Sequence, residues 1–459
     1  MNKLFSASMA LILLVFSQLP AYSQSKLPDN YFMTRLDNGL EVLVVEDRSL
    51  PITTIEINVR NGSYTEPAEF SGLSHFYEHM FFKANKDLPS QEAYIKKGNE
   101  LGMVWNGTTS VDRVNYFFTL PSRNLDEGLK FMNSAIRYPL FLEDEMKKEH
   151  AVVNGEFQRN ESNPEFHLWH EMGQKMWGSD FTRKNPIGDH DIILSATPEK
   201  MHAIQHKYYW PNNSLLIIAG DVGHTEVFEK VKNLYGDWQP SGFDPFKKWP
   251  VPEFQPLKDN ITYITLNDNA KNPIIAIGWE GPDTRRDIKG TFTADLFSTI
   301  LGLQSSKLQQ ELVDSGLAQE VSLSYTTNKY TGPIQLRVVA TPQKLKECIA
   351  KIREHINQWD SDNYFTDEQL ATAKNQLAIQ EKYQEEQTSS YIHTIGFWWA
   401  AADIDYSLNY INNVNKVTRD DIKKYVNKYI KGQPNISGIL MSPSMQQSIG
   451  IKSYDDLKN

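Results

Sequence analysis

The sequence predicts an α+β fold built from two homologous domains, and three observations support this prediction. The chain has 459 residues, about three times a typical domain length of ~150 residues, so two or three compact units are expected. Segments with the alternation of strands and segments with helical spacing follow one another in the first half. Two pairs of similar segments recur at nearly one separation, which indicates a duplicated domain of about 220 residues.

Strands are predicted where apolar and polar residues alternate, and helices where apolar residues recur every three or four positions. In the first half, a helix is predicted from Ser71 onward. The predicted strands of this half are 40–45, 52–59 and 115–120, and its other predicted helices are 125–136 and 143–158.

The duplication rests on two correspondences between the halves. Thr197 and Thr418 lie 221 residues apart, and each is a predicted N-cap of a helix that leads into a strand. Phe141 and Phe365 lie 224 residues apart, and acidic residues follow both. The strands that follow the two threonine-capped helices are predicted at 214–219 and 436–441.

Two segments of the chain are predicted to lie outside its domains. Residues 1–23 are predicted to be a signal peptide, because a positive residue, an apolar run and a small-x-small cleavage site follow one another. Four prolines and a glycine between Trp238 and Phe254 disfavour helix and sheet, so a linker is placed at 241–258. The predicted domains are therefore 24–240 and 259–459, and the mature protein is expected to be exported to a periplasm.

Composition argues against a nucleic-acid ligand, a membrane-spanning helix and a stabilising disulfide. The net charge is −10, and no basic stretch is present, which argues against nucleic acid as a ligand. No segment after the signal peptide approaches the ~20 apolar residues of a membrane-spanning helix. Cys348 is the only cysteine, so an intramolecular disulfide is impossible and stability must come from packing or a metal.

The strongest chemical signal is a pair of histidines one helical turn apart. His75 and His79 stand at i and i+4 on one helix face, which suits two ligands of a tetrahedral zinc ion. Glu78 projects near that face, where a carboxylate can take a proton from a metal-bound water. The spacing is the H-x-x-E-H inversion of the commoner metalloprotease motif. Three fixed residues in five also arise by chance in long proteins.

A catalytic zinc site needs a third protein ligand. Glu149 and Glu156 are seven residues apart on a predicted helix and therefore share a face, an arrangement that a nearby cation would stabilise. A solvated acidic face is the alternative interpretation. His167 and His170, at i and i+3, are a further candidate pair, but their apolar neighbours favour a packed helix. The aromatic run 397–399 near His393 is typical of a core.

At these residues the chain resembles the pitrilysin/insulinase superfamily of zinc peptidases, particularly its short two-domain bacterial members and the mitochondrial processing peptidase catalytic subunit. Four ordered motifs carry the resemblance: the inverted motif within 72–83, the segment 105–116, the Glu-x6-Glu helix and the segment 188–221. The resemblance covers essentially the whole mature chain. It implies that each domain is a mixed, mostly antiparallel sheet with helices packed on one face.

The resemblance also implies roles for individual residues. His75, His79 and Glu156 would bind one zinc ion per chain, and Glu78 would be the general base and later the proton shuttle to the leaving amine. Glu149 would orient a ligating histidine or tune the metal.

The resemblance further implies how a substrate is held. Asn106 would lie on the strand beside the active site, where the family binds substrate in an extended conformation. An unstructured peptide is therefore the expected substrate.

The second half departs from the family pattern. At the offset of 224, the positions that correspond to the two helix glutamates are Ala373 and Gln380, so no second zinc site is expected. The Arg and Tyr that the family often supplies here are replaced by Val313 and Gln319. The resemblance therefore implies a heterodimer in which a pitrilysin-like subunit supplies that pair, with a homodimer as the alternative.

The function predicted from the sequence is an exported zinc metalloendopeptidase that degrades or processes unfolded peptides. A non-catalytic assembly or binding subunit of a pitrilysin-like complex is the alternative, and Glu78 argues against it because a structural zinc needs no base. A zinc hydrolase that acts on something other than peptides is a third possibility.

Overall fold

The computed structural model of the protein describes residues 27–457, so the predicted signal peptide 1–23 lies outside the described residues. Within this range the strands form two sheets. The strands are β1 (Tyr31–Arg35), β2 (Glu41–Glu46), β3 (Ile52–Val59), β4 (Val104–Thr109), β5 (Val114–Pro121), β6 (Ser214–Gly220), β7 (Ile261–Leu266), β8 (Ile274–Glu280), β9 (Ala318–Tyr325), β10 (Pro333–Ala340) and β11 (Ile436–Met441).

Helices follow the strands in both halves. Those of the first half are α1 (Leu73–Phe81), α2 (Gln91–Glu100), α3 (Leu125–Arg137), α4 (Glu143–Glu161), α5 (Pro164–Trp177), α6 (His190–Leu194), α7 (Pro198–Tyr208), α8 (His224–Tyr235) and α9 (Pro245–Lys248). Those of the second half are α10 (Ile288–Gly302), α11 (Lys307–Gln309), α12 (Leu345–Gln358), α13 (Asp367–Glu385), α14 (Thr388–Ala401), α15 (Ile404–Leu408), α16 (Tyr410–Lys416), α17 (Arg419–Tyr429) and α18 (Pro443–Ile449).

The two sheets repeat one strand order. The first sheet runs β1-β2-β6-β3-β5-β4 and the second runs β7-β11-β8-β10-β9, so the second matches the first without β1. The pairs β2/β6 and β7/β11 are parallel, and every other neighbouring pair in the described sheets is antiparallel. The predicted fold class, two homologous α+β halves with mixed and mostly antiparallel sheets, is confirmed.

The residues that revealed the duplication occupy equivalent places in the two halves. The side chain of Thr197 accepts a hydrogen bond from the Lys200 amide at the start of α7, and Thr418 accepts one from the Asp421 amide at the start of α17. Both helices lead into the parallel strand of their sheet, β6 or β11. Phe141 and Phe365 precede the long helices α4 and α13, so the similar segments begin similar elements.

Strand β2 shows why the first sheet is buried on both faces. Val42 and Val44 pack with α1, α3 and α8 in one apolar cluster, whereas Leu43 and Val45 belong to another on the opposite face. Side chains alternate across a strand, so a nearly continuous apolar run is what a doubly covered strand requires.

The second face of each sheet is covered by a helix from the other half. Helix α14 packs Ile395 and Trp399 against Leu43 of the first sheet, and helix α5 packs Met172 against Leu440 of the second. The two halves therefore exchange equivalent helices, each of which follows the long helix of its own half. The sequence pattern did not predict this exchange, because helical periodicity does not specify the sheet that a helix covers.

Three further sequence predictions concern the linker, the single cysteine and membrane-spanning helices. Residues 241–258, the predicted linker, contain the short helix α9 and no strand. Cys348 is fully buried in the core of the second half. No helix among the described residues has both the length and the hydrophobicity that crossing a bilayer requires.

Candidate metal centre

Helix α1 carries the histidine motif, and buried contacts fix its position. The Glu66 carboxylate accepts hydrogen bonds from the amides of Gly72 and Ser74, at 2.8 and 2.6 Å, and so satisfies two free N–H groups at the helix start. Gly72 has φ +83°, and a Cβ there would lie 2.7 Å from Cα of Gly188, so only glycine fits this approach. Phe76 and Met80 are buried in the core.

Three side chains from α1 and α4 converge at one point. His75 Nε2 lies 3.3 Å from His79 Nε2, and Glu156 Oε2 lies 3.7 Å from each of these nitrogens. Ligands ~2.0–2.1 Å from a tetrahedral zinc lie roughly 3.3 Å apart, so the triangle fits such an ion with little movement. Among residues 27–457, this is the one group of His, Cys, Asp or Glu side chains with metal-binding proximity.

Glu149 lies behind the triangle and contacts one of its histidines. Its Oε1 is 2.7 Å from His79 Nδ1, and its Oε2 is 2.5 Å from Lys83 Nζ. The side chains of Glu149 and Lys83 are only 8% and 7% exposed. A carboxylate in this position fixes the orientation of an imidazole whose other nitrogen faces a metal.

Sequence reasoning missed Lys83, although a signal was present. Lys83 lies four residues after His79, just beyond α1, among apolar residues that would bury it. A buried lysine requires an anionic partner, and the helix that bears Glu149 supplies one. The pattern could have suggested a buried pair but not which acid formed it.

Glu78 lies on the sheet side of the triangle. It is 9% exposed, and its Oε2 accepts a hydrogen bond of 2.6 Å from the Thr109 hydroxyl at the end of β4. Burial raises the pKa of Glu78, while the Thr109 hydrogen bond opposes that shift. Thr109 is a second residue that sequence reasoning missed, since one threonine in a strand carries no pattern of its own.

Strand β4 is the edge of the first sheet, and it approaches Glu78 closely. A Cβ on Gly107 would lie 2.9 Å from Glu78 Cγ, so this glycine makes room for the carboxylate. Asn106 is exposed on β4, and its Oδ1 accepts a hydrogen bond from the Gly107 amide. The structure therefore places Asn106 on an edge strand beside Glu78, while its substrate-binding role stays a prediction.

The surroundings of the two histidines shift their pKa values in opposite directions. Burial lowers the pKa of His75 to about 3, and His79 repels a proton there as well. Burial also acts to lower the pKa of His79, but the hydrogen bond and charge of Glu149 outweigh it, so the net shift is upward. Neutral imidazole is the form that binds metal ions, and His75 holds that form at neutral pH.

The equivalent region of the second half contains different residues. Ala373 is fully buried, and Gln380 lies with Thr299 and Asp295 in the lining of a cavity of about 720 Å³. The other candidate histidines, His167 and His170, hydrogen-bond to the Glu161 carbonyl and to the Gln174 amide. The structure does not bring them to the triangle.

Comparison with known proteins decides the family. Residues 41–189 match the family described as Insulinase (Peptidase family M16), and residues 195–377 match the Peptidase M16 inactive domain. The zinc protease PqqE of Helicobacter pylori is 30% identical over 308 residues, which cover 66% of this chain and 68% of that protein. The chain belongs to the insulinase family of peptidases, M16. The resemblance predicted from the sequence is confirmed.

Solved structures of similar fold support the M16 architecture. A crystal structure of a protease from Helicobacter pylori has a TM-score of 0.78 and 23% identity, and covers 90% of this chain and 99% of that one. The periplasmic protease PqqL from Escherichia coli has a TM-score of 0.76 and 17% identity, and covers 95% of this chain and 50% of that one. In this M16 chain, the insulinase match contains all the candidate site residues of α1, β4 and α4.

Proposed function

We propose that this M16 chain is a zinc metalloendopeptidase that hydrolyses peptide bonds in unfolded peptides. The observation that carries the proposal is the convergence of His75, His79 and Glu156, with the Glu78 carboxylate beside them on the same helix. Relatives named as zinc proteases support zinc as the metal. The single triangle among the described residues supports one ion per chain.

The chemistry divides between the metal and Glu78. Bound zinc would polarise the scissile carbonyl and lower the pKa of a water toward neutrality. The Glu78 carboxylate accepts the proton of the attacking water and later delivers it to the leaving amine. Glu149 would act through His79, because His79 and Lys83 contact its two oxygens.

Edge strand β4 supports a peptide as the substrate. Its outer side has no neighbour within the described sheet, so an extended peptide can add to it through backbone hydrogen bonds. Such pairing places the peptide backbone beside Glu78, and Asn106 lies on the same strand. Most backbone groups of a folded protein are already paired within its own helices and sheets, which favours unfolded peptides.

A second subunit is part of the proposal. Val313 is partly buried against the core of the second half, and Gln319 is exposed on β9 with Asn272 as its partner. Val313 has no polar group to offer an oxyanion, and the Gln319 amide lacks the charge of Arg and pairs with Asn272. We therefore propose a heterodimer with a pitrilysin-like subunit that supplies the family's Arg and Tyr, the loss of one oxyanion donor costing about 10²–10³ in rate. A homodimer is the alternative.

Export is the last element of the proposal. The predicted signal peptide 1–23 supports it, and so does the description of the Escherichia coli protein as periplasmic. Fractionation of cells that express the full chain tests it, with the mature protein expected outside the cytoplasm.

The proposed activity is tested with a quenched fluorescent peptide library and a measurement of bound zinc. The wild-type chain, Glu78→Gln and the control Glu161→Gln, an exposed residue at the end of α4, are each assayed alone and with a co-purified partner. We expect one zinc in all three and cleavage by the wild type and the control only. Cleavage that appears only with the partner would support the heterodimer.

Two outcomes would contradict the proposal. Zinc-free protein without activity under every condition would favour the non-catalytic assembly subunit. A zinc-loaded protein that hydrolyses other substrates but no peptide would indicate a different hydrolase.

A further inference from the structure

Helix α14 of the second half packs directly on β3 and β6 of the first sheet. A Cβ on Gly396 would lie 2.3 Å from Asn58 Oδ1 on β3, so glycine allows this close approach. The guanidinium of Arg60 stacks 3.8 Å from the ring centre of Trp399 and donates a hydrogen bond to its carbonyl. The position of α14 on the first sheet is therefore tightly defined.

This helix supplies the partner of a fully buried carboxylate. Glu56 of β3 is 0% exposed, and a buried charge is costly unless it is paired and hydrogen-bonded. His393 Nδ1 of α14 donates a hydrogen bond to Glu56 Oε2, and Asn115 Nδ2 donates one of 2.8 Å to Oε1. The pairing holds the pKa of Glu56 below its usual value despite burial.

Arg113 connects this pair to the edge strand. Its Nη1 donates a hydrogen bond of 2.7 Å to the His393 carbonyl and lies 3.7 Å from Glu56 Oε1. Its Nη2 donates a hydrogen bond of 2.9 Å to the Thr108 hydroxyl on β4. One buried guanidinium thus contacts helix α14 of the second half and the strand that presents Thr109 to Glu78.

We propose that Arg113 and His393 are positioning residues of the peptidase, which hold edge strand β4 in the register needed to bind an extended peptide. The inference rests on the proposed function, because it takes β4 as the strand that receives the substrate. On this proposal the second half of the chain contributes to substrate binding, because its helix α14 holds the proposed substrate-binding strand β4 of the first half in place.

The test separates positioning from a general contribution to stability. Arg113→Met removes the guanidinium contacts and His393→Phe removes the imidazole contact with Glu56, both with bulk retained, whereas Arg113→Lys and His393→Gln keep a donor. His224→Gln is the matched control, because His224 Nδ1 lies 2.7 Å from Glu46 Oε1 in a similar pair that does not contact β4. Zinc content and thermal unfolding are measured for every variant.

Two readouts report on β4 itself. Amide hydrogen exchange is followed in peptides that cover 104–113, and the affinity for a labelled extended peptide is measured in a Glu78→Gln background that cannot cleave it. In Arg113→Met and His393→Phe we expect exchange in this segment to rise selectively and peptide affinity to fall about tenfold, the value of one hydrogen bond of about 1.4 kcal/mol. Zinc content should not change.

The variants that keep a hydrogen-bond donor test whether peptide affinity and exchange protection are restored. Arg113→Lys and His393→Gln should recover most of the affinity and protection, and His224→Gln should match the wild type. Folded Arg113→Met and His393→Phe with unchanged exchange and affinity would overturn the proposal. If those two do not fold, wild-type exchange and affinity in a folded Gly396→Ala would also overturn it, since its added Cβ would lie 2.3 Å from Asn58 Oδ1 and disturb the seating of α14 on the first sheet. Exchange is read without turnover, so failure of the peptidase assay would not be mistaken for failure of this proposal.

Discussion

The hydroxyl of Thr109 donates a hydrogen bond of 2.6 Å to Glu78 Oε2. This contact joins the helix that bears the candidate metal ligands His75 and His79 to the edge strand proposed to bind the substrate. Burial raises the pKa of Glu78 and the hydrogen bond lowers it, so Thr109 favours the ionised carboxylate that can accept a proton. The proposed base is therefore held by a residue of the strand that would place the peptide beside it.

Thr109→Val should lower kcat while zinc stays bound. A hydrogen bond to a charged group contributes about 1.5–3 kcal/mol, which corresponds to roughly a ten- to hundredfold loss. Thr109→Ser keeps the hydroxyl and should recover most of the rate. Steady-state peptide cleavage with zinc quantification checks this, and a wild-type kcat in zinc-loaded Thr109→Val would show that Glu78 does not depend on Thr109.

Lys83→Met should weaken zinc binding although Lys83 does not contact the metal triangle. Without its cation, Glu149 loses one of its two partners and orients His79 less firmly. Loss of such an outer partner typically costs about 10–100-fold in metal affinity. The buried anion left behind should also lower apo-protein stability, by up to about 3–5 kcal/mol.

Competition with a chelator measures that affinity, and thermal melts of the apo-protein measure the stability. Lys86→Met, at an exposed position three residues away, is the control and should leave both quantities unchanged. An unaltered zinc affinity in Lys83→Met would mean that Glu149 orients His79 unaided.

Gly107→Ala should impair catalysis more than folding. The added Cβ would lie 2.9 Å from Glu78 Cγ and 3.0 Å from the Asn115 carbonyl oxygen, so the carboxylate has to shift. A displacement of a catalytic group by about 1 Å can cost about 10²-fold in rate. Gly155→Ala, next to Glu156 with no atom within 4 Å of the new Cβ, should keep activity and add up to about 1 kcal/mol of stability.

Kinetics and denaturant unfolding of both alanine variants distinguish the two positions. Equal activities of Gly107→Ala and Gly155→Ala would show that the close approach of β4 does not constrain the position of Glu78.

Asp295→Asn should flatten the pH dependence of stability in the acidic range. Burial raises the pKa of Asp295 to about 7, although Tyr410 donates a hydrogen bond to it. The folded state then binds more protons than the unfolded state between the unfolded value of about 3.9 and 7. The contribution of Asp295 is complete below that unfolded value and is lost as the pH rises to 7, with a slope of at most about 1.4 kcal/mol per pH unit.

Urea unfolding of the wild type and Asp295→Asn from pH 4 to pH 8 checks this sign. The variant should gain stability relative to the wild type as the pH rises. Parallel curves for the two proteins would contradict the raised pKa.

Local sequence pattern was enough to predict much of the site. The spacing of His75 and His79 places both on one helix face, and the spacing of Glu149 and Glu156 does the same. The sequence therefore predicts each pair without knowledge of any tertiary contact. What the pattern could not specify was that Glu156 would point into the triangle and Glu149 behind it. That difference depends on how α4 packs against α1, and here only the family resemblance distinguished the two residues.

The sequence by itself determined the two-fold α+β plan, the elements at equivalent places in both halves and the helix faces that carry the candidate ligands. These are consequences of periodicity and capping, which act over a few residues. Only the tertiary structure decided that Lys83 pairs with Glu149, that Thr109 holds Glu78, and that α5 and α14 each cover the sheet of the other half. Such partners lie far apart in the chain, and the choice among them depends on packing and on the need to pair buried polar groups, which no local pattern records.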